Sequence, residues 1–96
     1  MECVINDTKL KLLDGEIYAY IKKGYCKDYK WCLLKGGIRH DGYRRVSINK
    51  KLYRYHRVVY KLHNTEWNIA DSSTNNSIDH IDRNPLNNNI ENLRLV

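Results

Sequence analysis

The chain has 96 residues, of which 42% are hydrophobic, and it carries a formal net charge of +6 at pH 7. This length accommodates one domain with a modest core and leaves no room for a second, so we expect residues 1–96 to form a single domain. No apolar run approaches the ~20 residues of a membrane-spanning helix, and no signal-peptide pattern is present. These features argue against a membrane partner and predict an intracellular protein, in the cytoplasm or the nucleus.

Positive charge is concentrated in one part of the chain. Residues 1–63 contain fifteen Lys and Arg against six Asp and Glu, whereas residues 64–96 contain two against five. Such an excess of positive charge favours a polyanionic partner, and nucleic acid is the commonest one. The alternative interpretation is a solvated surface that only keeps the protein soluble.

The three cysteines, Cys3, Cys26 and Cys32, are odd in number and lack the CxxC spacing of common metal and redox motifs. This pattern predicts reduced thiols, as in an intracellular setting. A zinc site formed by Cys26, Cys32 and His40 is an alternative, although its spacing differs from known zinc patterns.

The first 39 residues predict a small sheet. Residues 1–15 show little patterning, but residues 16–21 (EIYAYI) alternate in the manner of a strand. A second short strand is predicted over 31–34, ended by Gly36-Gly37. Eight Tyr, two Trp and no Phe supply the aromatic bulk, a set that suits a thin sheet with one side in water.

Residues 40–64 predict a hairpin followed by a helix. Alternation over 43–48, a turn at Asn49-Lys50 and a returning run over 52–55 are typical of a β-hairpin. Residues 56–64 (HRVVYKLHN) place Val and Leu at helical spacing, which predicts a helix that packs on the hairpin.

This part of the chain is strongly basic, with eight Lys and Arg and one acidic residue between positions 39 and 61. The functional interpretation is contact with the phosphate backbone of DNA, which positions a protein without conferring sequence choice. Some of these side chains are instead expected to cover the Tyr-rich face, so we expect about half to contact phosphate. The candidate residues are Arg44, Arg45, Lys50, Lys51, Arg54 and Arg57.

The C-terminal segment predicts two short strands around an Asn-rich loop. Ile78 and Ile81 flank an Asp79-His80 pair, and Pro85 lies among asparagines in the loop. The predicted elements are a polar loop at 71–77, a strand at 77–81, a single helical turn at 90–93 and a returning strand at 93–96.

The run IDHIDRNPLNNNIENLRLV, residues 78–96, resembles the HNH nucleases, in particular the branch found in phage and viral homing endonucleases. HRVV at 56–59 is similar to a helix start of that family, and Gly42-Tyr43 with the basic hairpin also fits. The resemblance covers residues 40–96 well and residues 1–39 only vaguely. The matching positions of the long motif are Ile78, Asp79, His80, Asp82, Asn84, Asn87 or Asn88, Ile90, Asn92, Leu93, Arg94 and Val96.

The resemblance implies a metal-dependent endonuclease that acts on double-stranded DNA. In that family Asp79 would hold a single divalent metal ion, Mg²⁺ or Mn²⁺, and His80 would be the general base that takes a proton from water. A neutral His near pH 7 suits this task. Adjacent residues on a strand point to opposite faces, so a local distortion, or approach from the strand end, is needed for both to reach one phosphate.

Asn92 completes the predicted catalytic set with His80. Its amide is expected to brace the loop across from His80, which is a structural task rather than a chemical one. Asp82 and Asn84 are expected to tie the same loop through hydrogen bonds from side chain to backbone. The alternative interpretation is that residues 82–92 are simply a capped, solvated loop.

The chain departs from the family pattern at two places. Arg83 stands where relatives usually have Gly; a positive φ is unfavourable for Arg, although a cation there could aid DNA binding. The family's third motif residue, a His or Asn that ligates the metal, lies on a helix beyond Val96. We therefore expect an α+β fold with a small antiparallel sheet and hairpin, one helix, and a ββα-metal motif truncated at its C-terminus, whose metal site is weak.

The alternative function is a non-catalytic DNA-binding module derived from an HNH nuclease, which the missing third residue favours. An RNA-binding protein is less favoured, because no aromatic pattern of a known RNA module is present. His56 lies beside the predicted site, where a structural hydrogen bond is favoured over a ligand role. The sequence leaves the oligomeric state open.

Overall fold

The structure is a computed structural model that describes residues 1–22, 27–70 and 77–95. Within these ranges the fold is α+β, as expected, with one α-helix and three small antiparallel sheets. Most of the predicted polar loop, Cys26 and Val96 lie outside the described residues. The elements are β1 (Glu2–Ile5), β2 (Thr8–Leu13), β3 (Glu16–Ile21), β4 (Lys30–Leu33), β5 (Gly37–Ile38), β6 (Arg44–Ile48), β7 (Lys51–Arg54), α1 (Tyr55–His63), β8 (Ile78–His80) and β9 (Leu93–Leu95).

The first sheet is a four-stranded meander in the order β1-β2-β3-β4. Strands β3 and β4 correspond to the two strands predicted from the sequence, whereas β1 and β2 fall within the fifteen residues that show little patterning. Two tight turns connect the first three strands. Asn6 and Asp7 have φ values of 50° and 61°, and Asp14 and Gly15 have 52° and 76°. Positive φ at both central residues is typical of the turns that match strand twist in hairpins.

The second sheet has the order β5-β6-β7 and contains the predicted basic hairpin. Its turn lies at Asn49 and Lys50, with φ values of 49° and 68°, as the sequence predicts. Strand β5 was not predicted. The chain just before it approaches β6 so closely that a Cβ atom on Gly36 would lie 2.0 Å from the carbonyl oxygen of Arg45. Only glycine is therefore compatible with this crossing.

Helix α1 follows β7 directly and lies within one residue of its predicted position. It packs against β1, β2, β6, β7 and β8, so the three sheets share one core. The helix buries Val58, Val59 and Leu62, the residues whose spacing predicted it. No helix among the described residues is long and apolar enough to cross a membrane.

Candidate active site

The resembled motif folds into a two-stranded ribbon. Strands β8 and β9 pair antiparallel, with Asp79 opposite Arg94 and His80 opposite Leu93. Residues 81–89 form the loop between them, and a short 3₁₀ helix at Ile90–Asn92 leads into β9. The predicted helical turn and both predicted strands are therefore present. Because side chains alternate along a strand, this register places Asp79 and His80 on opposite faces.

His80 faces the core and is only 5% exposed. Its Nε2 lies 2.8 Å from Oδ1 of Asn88, in the loop. Because a carbonyl oxygen only accepts, Nε2 donates this hydrogen bond, and the neutral ring then carries its lone pair on Nδ1. Among the described residues no other side-chain hydrogen bond involves His80. The ring is therefore fixed at one nitrogen and able to accept a proton at the other.

Two further rings pack against His80. His56 on α1 meets it edge to face with 4.6 Å between centroids, and the Tyr43 ring lies 6.0 Å away. His56 is buried, and burial lowers its pKa to about 3, with smaller contributions from His80, Arg54 and Arg57. His56 is therefore neutral near pH 7, and its contact with His80 is a ring contact.

Asp79 lies on the other face of β8. Its Oδ2 accepts hydrogen bonds from Nη2 and Nε of Arg94, at 3.0 and 3.3 Å. The side chains of Asp79 and Arg94 are 47% and 61% exposed, so the ion pair is solvated. The regular pairing of β8 with β9 shows no local distortion. Approach from the strand end is thus the remaining way for both motif residues to reach one phosphate.

The described residues do not fit a complete metal site. Within them, no group of three or more His, Cys, Asp or Glu side chains could hold a metal ion. Asp79 offers one carboxylate, of which Oδ2 is engaged by Arg94, and Mg²⁺ and its bound waters require more oxygen ligands than that. The alternative zinc site includes Cys26, which lies outside the described residues, and Cys32 and His40 belong to no such group within them.

Asn92 ties the loop together from a buried position. Its Nδ2 donates to Asp82 Oδ1 and to the Asn87 carbonyl, both at 2.9 Å, and its Oδ1 accepts from the Asp82 N–H at 3.1 Å. Each of its side-chain polar atoms is thus used within the protein. This is the arrangement that a bracing role requires.

Asp82 and Asn84 complete the bracing. Asp82 accepts from the Asn87 side chain at 2.9 Å and from the Asn84 N–H at 2.8 Å. Together with the bond from Asn92, these contacts hold the pKa of Asp82 below its usual value. Asn84 in turn accepts from the Leu86 N–H at 3.1 Å. The same loop carries Asn88, so its rigidity sets the position of the hydrogen-bond partner of His80.

Arg83 closes the turn that follows His80. Its N–H donates to the His80 carbonyl at 3.0 Å, and its φ is 63°. The left-handed conformation that explains Gly in the resembled family is therefore retained here by an arginine. Its side chain is exposed one turn away from the general-base candidate.

Three of the predicted DNA-binding residues are engaged by the protein itself. Arg45 forms a two-bond ion pair with Asp41, at 2.6 and 3.0 Å. Arg44 donates to the Lys35 carbonyl at 2.7 Å and stacks on Tyr55. Arg57 donates to the carbonyl of residue 69 at 2.8 Å and lies over an indole ring. These three arginines keep their positive charges, but their side chains are already held by partners within the protein.

The other predicted cations are exposed. Lys50, Lys51, Arg54 and Arg83 all present their side chains to solvent. Arg54 lies over the ring of Tyr43, with 4.7 Å from its guanidinium carbon to the ring centroid. Because Tyr43 also contacts His80, this ring connects Arg54 to His80.

Three relationships were not foreseen from the sequence: Asn88 as the partner of His80, Arg94 as the partner of Asp79, and Tyr43 beside the base. The second had a signal, because two strands that pair antiparallel around one loop place Asp and Arg of matching register on one face. The other two depend on how the loop and hairpin fold onto α1.

A comparison with protein families matches the segment that contains these residues. Residues 53–96 match the family model described as HNH endonuclease, which covers α1, the β8–β9 ribbon and the loop. The resemblance to the HNH endonucleases seen in the sequence is thereby confirmed for residues 53–96. The family is one of nucleases, and its substrate is nucleic acid. No curated protein and no solved structure matches the chain.

Proposed function

We propose that the protein is an endonuclease that hydrolyses phosphodiester bonds of double-stranded DNA, with His80 as its general base. The observation that carries this proposal is the hydrogen bond from His80 Nε2 to Asn88 Oδ1 at 2.8 Å. It fixes the tautomer and the orientation of the ring within the segment that matches the HNH endonuclease family. An oriented neutral imidazole is what general-base catalysis near pH 7 requires.

The proposed reaction transfers two protons and exchanges one bond at phosphorus. His80 Nδ1 takes a proton from water, and the resulting hydroxide attacks the phosphorus atom. The bond from phosphorus to the 3′ oxygen breaks, and that oxygen gains a proton from solvent, which yields 5′-phosphate and 3′-hydroxyl ends. Asn88 continues to accept from Nε2 while the ring is positively charged, and such charge-assisted hydrogen bonds are stronger than neutral ones.

The neighbours of His80 position it. His56 and Tyr43 hold its ring through contacts of 4.6 and 6.0 Å between centroids. Asn92, Asp82 and Asn84 hold the loop from which Asn88 reaches the ring. We propose that Lys50, Lys51, Arg54 and Arg83 contact DNA phosphates, because their side chains are exposed.

A divalent metal ion is part of this proposal, with Mg²⁺ preferred over Mn²⁺ and Asp79 as the carboxylate that would hold it. When bound, such an ion neutralises charge on the phosphate and the departing oxygen. The described residues alone do not complete a site for this ion.

The test is nicking of supercoiled plasmid in Mg²⁺ or Mn²⁺, with EDTA as the metal-free control. We expect nicking that requires metal and is lost in His80→Ala, while DNA binding measured in EDTA is largely unchanged. His40→Ala is the matched control, because His40 is an exposed histidine outside the site. Equal loss of activity in both variants, or loss of binding with His80→Ala, would argue against the general-base role.

A second candidate function is a DNA-binding module without catalysis. The observation that favours it is the ion pair of Asp79 with Arg94, which engages the carboxylate proposed for metal. This alternative predicts no nicking under any metal condition, with DNA binding that weakens steeply as salt increases.

A further inference from the structure

The outer face of the first sheet carries a cluster of exposed aromatic side chains. Tyr20 on β3 stacks on Tyr29, with 5.5 Å between ring centroids and 21° between planes, and contacts Trp31 at 5.2 Å. Tyr20 and Tyr29 are 41% and 58% exposed. We call Tyr20, Tyr29 and Trp31 the aromatic face. Because exposed aromatic rings contribute little to a core, their grouping on one face needs another explanation.

The register of the sheet explains how these rings come together. Tyr20 pairs across to Trp31 of β4 on one side and to Lys9 of β2 on the other. The alternate residues of β2 and β3 face the opposite way, where Leu10 and Ile17 are fully buried in the core. The aromatic face is therefore the solvent side of a sheet whose other side is already packed.

Lysines lie next to these rings. The Nζ atom of Lys11 is 4.4 Å from the centroid of Trp31, and Lys9 is the direct cross-strand neighbour of Tyr20. The nearest carboxylate partner is Glu2, whose distance to Lys9 is 3.5 Å in an ion pair with both side chains at least half exposed. Solvent-exposed ion pairs contribute little to stability, so Lys9 can leave Glu2 for another anion at little cost in free energy. The surroundings of the rings therefore suit a ligand that is both flat and anionic.

We propose that the aromatic face binds unpaired bases of a nucleic-acid strand, with Lys9 and Lys11 on its phosphates. Stacking on Tyr and Trp is tolerant of sequence because every base has a flat π surface, and nearby cations follow the backbone. The face is formed by β3, β4 and Tyr29 just before β4, outside the residues that match the HNH family. It is thus an additional site, and it rests on the proposed function only in taking nucleic acid as the ligand.

The face distinguishes single strands from duplexes. In a duplex each base is covered by its neighbours, and exposing it costs unstacking energy. The basic hairpin, in contrast, offers cations that suit the regular phosphates of a duplex. The protein therefore has two surfaces that prefer different forms of nucleic acid. The basic hairpin prefers duplexes, and the aromatic face prefers single strands.

The experiment is fluorescence anisotropy of a labelled short oligothymidylate, and of the corresponding RNA, with the full chain carrying His80→Ala in EDTA. Tyr20→Ala combined with Tyr29→Ala should weaken single-strand binding about ten-fold or more, because loss of base stacking has effects of this size. Tyr29→Phe should bind like the parent, since it keeps the ring. Leu33→Ser is the matched control, because Leu33 is a non-aromatic residue, 39% exposed, on the same face of β4.

Circular dichroism and thermal midpoints verify that each variant is folded. Duplex binding should change little in the Tyr20→Ala, Tyr29→Ala variant. Parent-like single-strand affinity in that variant, or an equal loss in Leu33→Ser, would overturn the proposal; the latter would indicate a generally apolar docking surface instead. The comparison of DNA with RNA identifies the source of the strand. Nicking of plasmid is measured separately, so failure of this inference leaves the test of His80 unaffected.

Discussion

Arg94 reaches across the β8–β9 ribbon and holds Oδ2 of Asp79 at 3.0 Å, on the face of the strand opposite to His80. Two adjacent motif residues therefore have separate environments. His80 is enclosed by rings and an amide, whereas Asp79 is solvated and paired with a cation. The ion pair gives a metal ion a competitor for the carboxylate of Asp79.

Replacing Arg94 with Gln should remove this competition. We expect Arg94→Gln to lower the Mg²⁺ concentration needed for half-maximal nicking, and to change the free energy of unfolding by less than about 1 kcal/mol because the pair is exposed. The measurement is nicking rate against Mg²⁺ concentration. If the variant required more Mg²⁺, Arg94 would instead be supporting the site.

Removing the amide that orients the base should slow the reaction without loosening the complex. We expect Asn88→Ala to reduce the nicking rate at least about ten-fold, because orientation of a general base is part of its contribution to the rate. Asn88→Asp retains an acceptor and should lose less. Asn89→Ala is the control, since Asn89 is an exposed neighbour whose side chain bonds Asn87. A parent-like rate in Asn88→Ala would contradict the proposed tautomer.

Arg83 adopts a conformation that glycine tolerates better. With φ at 63°, Arg83→Gly should raise the free energy of unfolding by up to about 1 kcal/mol, because relief of the left-handed strain exceeds the added chain entropy. The same change should weaken DNA binding by removing an exposed cation. Denaturant titration and binding isotherms test the two effects separately, and Arg83→Ala, which loses the charge but keeps the strain, separates their causes.

His56 should make stability depend on pH. Its pKa in the folded chain is about 3, mainly because it is buried, whereas an unfolded His has a pKa near about 6.5. Between these values the unfolded state binds more protons, so stability is lost as pH falls from about 6.5 toward 3, by at most about 1.4 kcal/mol per pH unit. His56→Phe should flatten this part of the profile, measured by urea midpoints from pH 7 to 4. An unchanged profile, with exposed His40→Gln as control, would refute the assignment.

The exposed lysines of the hairpin turn should dominate the salt dependence of DNA binding. Lys50→Ala with Lys51→Ala should weaken duplex binding and reduce the slope of log affinity against log salt by about 2, since each lysine neutralises about one phosphate. Arg45→Ala provides the comparison, because Arg45 is committed to Asp41 and should alter the slope less. Equal changes of slope would mean that DNA displaces the internal partner of Arg45.

The elements that sequence could predict are those whose signals are local. The hairpin turn at Asn49-Lys50, the spacing of Val58 and Leu62 on α1, and the motif on β8 each depend on a few neighbouring residues. Strand β1 was not predicted because it has only four residues, ECVI, whereas the alternation of Lys9 and Lys11 with Leu10 and Leu12 along β2 was a strand signal that was missed. Asp14-Gly15 was likewise a usable turn signal for the end of β2, since it is a favoured pair in tight hairpins.

The geometry of the site could be predicted less well from the sequence, because it depends on contacts between segments that are distant along the chain. His56 and His80 are separated by the whole connection from α1 to β8, yet their rings lie 4.6 Å apart. Likewise, nothing in the local sequence distinguishes Arg45, which is held by Asp41, from the exposed Arg54. Sequence identified which residue types the site contains, and only the fold showed which of them are already occupied.

Strand β7 ends at Arg54 and helix α1 begins at Tyr55, with no residue between them. The hairpin and the helix are therefore joined without a linker, with the exposed Lys50 and Lys51 at the start of β7 and His56, which packs on His80, just after its end. If the hairpin binds the phosphates of a duplex, this direct connection sets the distance between those phosphates and the phosphate that reacts at His80. Under the proposed function, the enzyme would cut at a constant distance from the phosphates that the hairpin binds, rather than at a base that it has recognised.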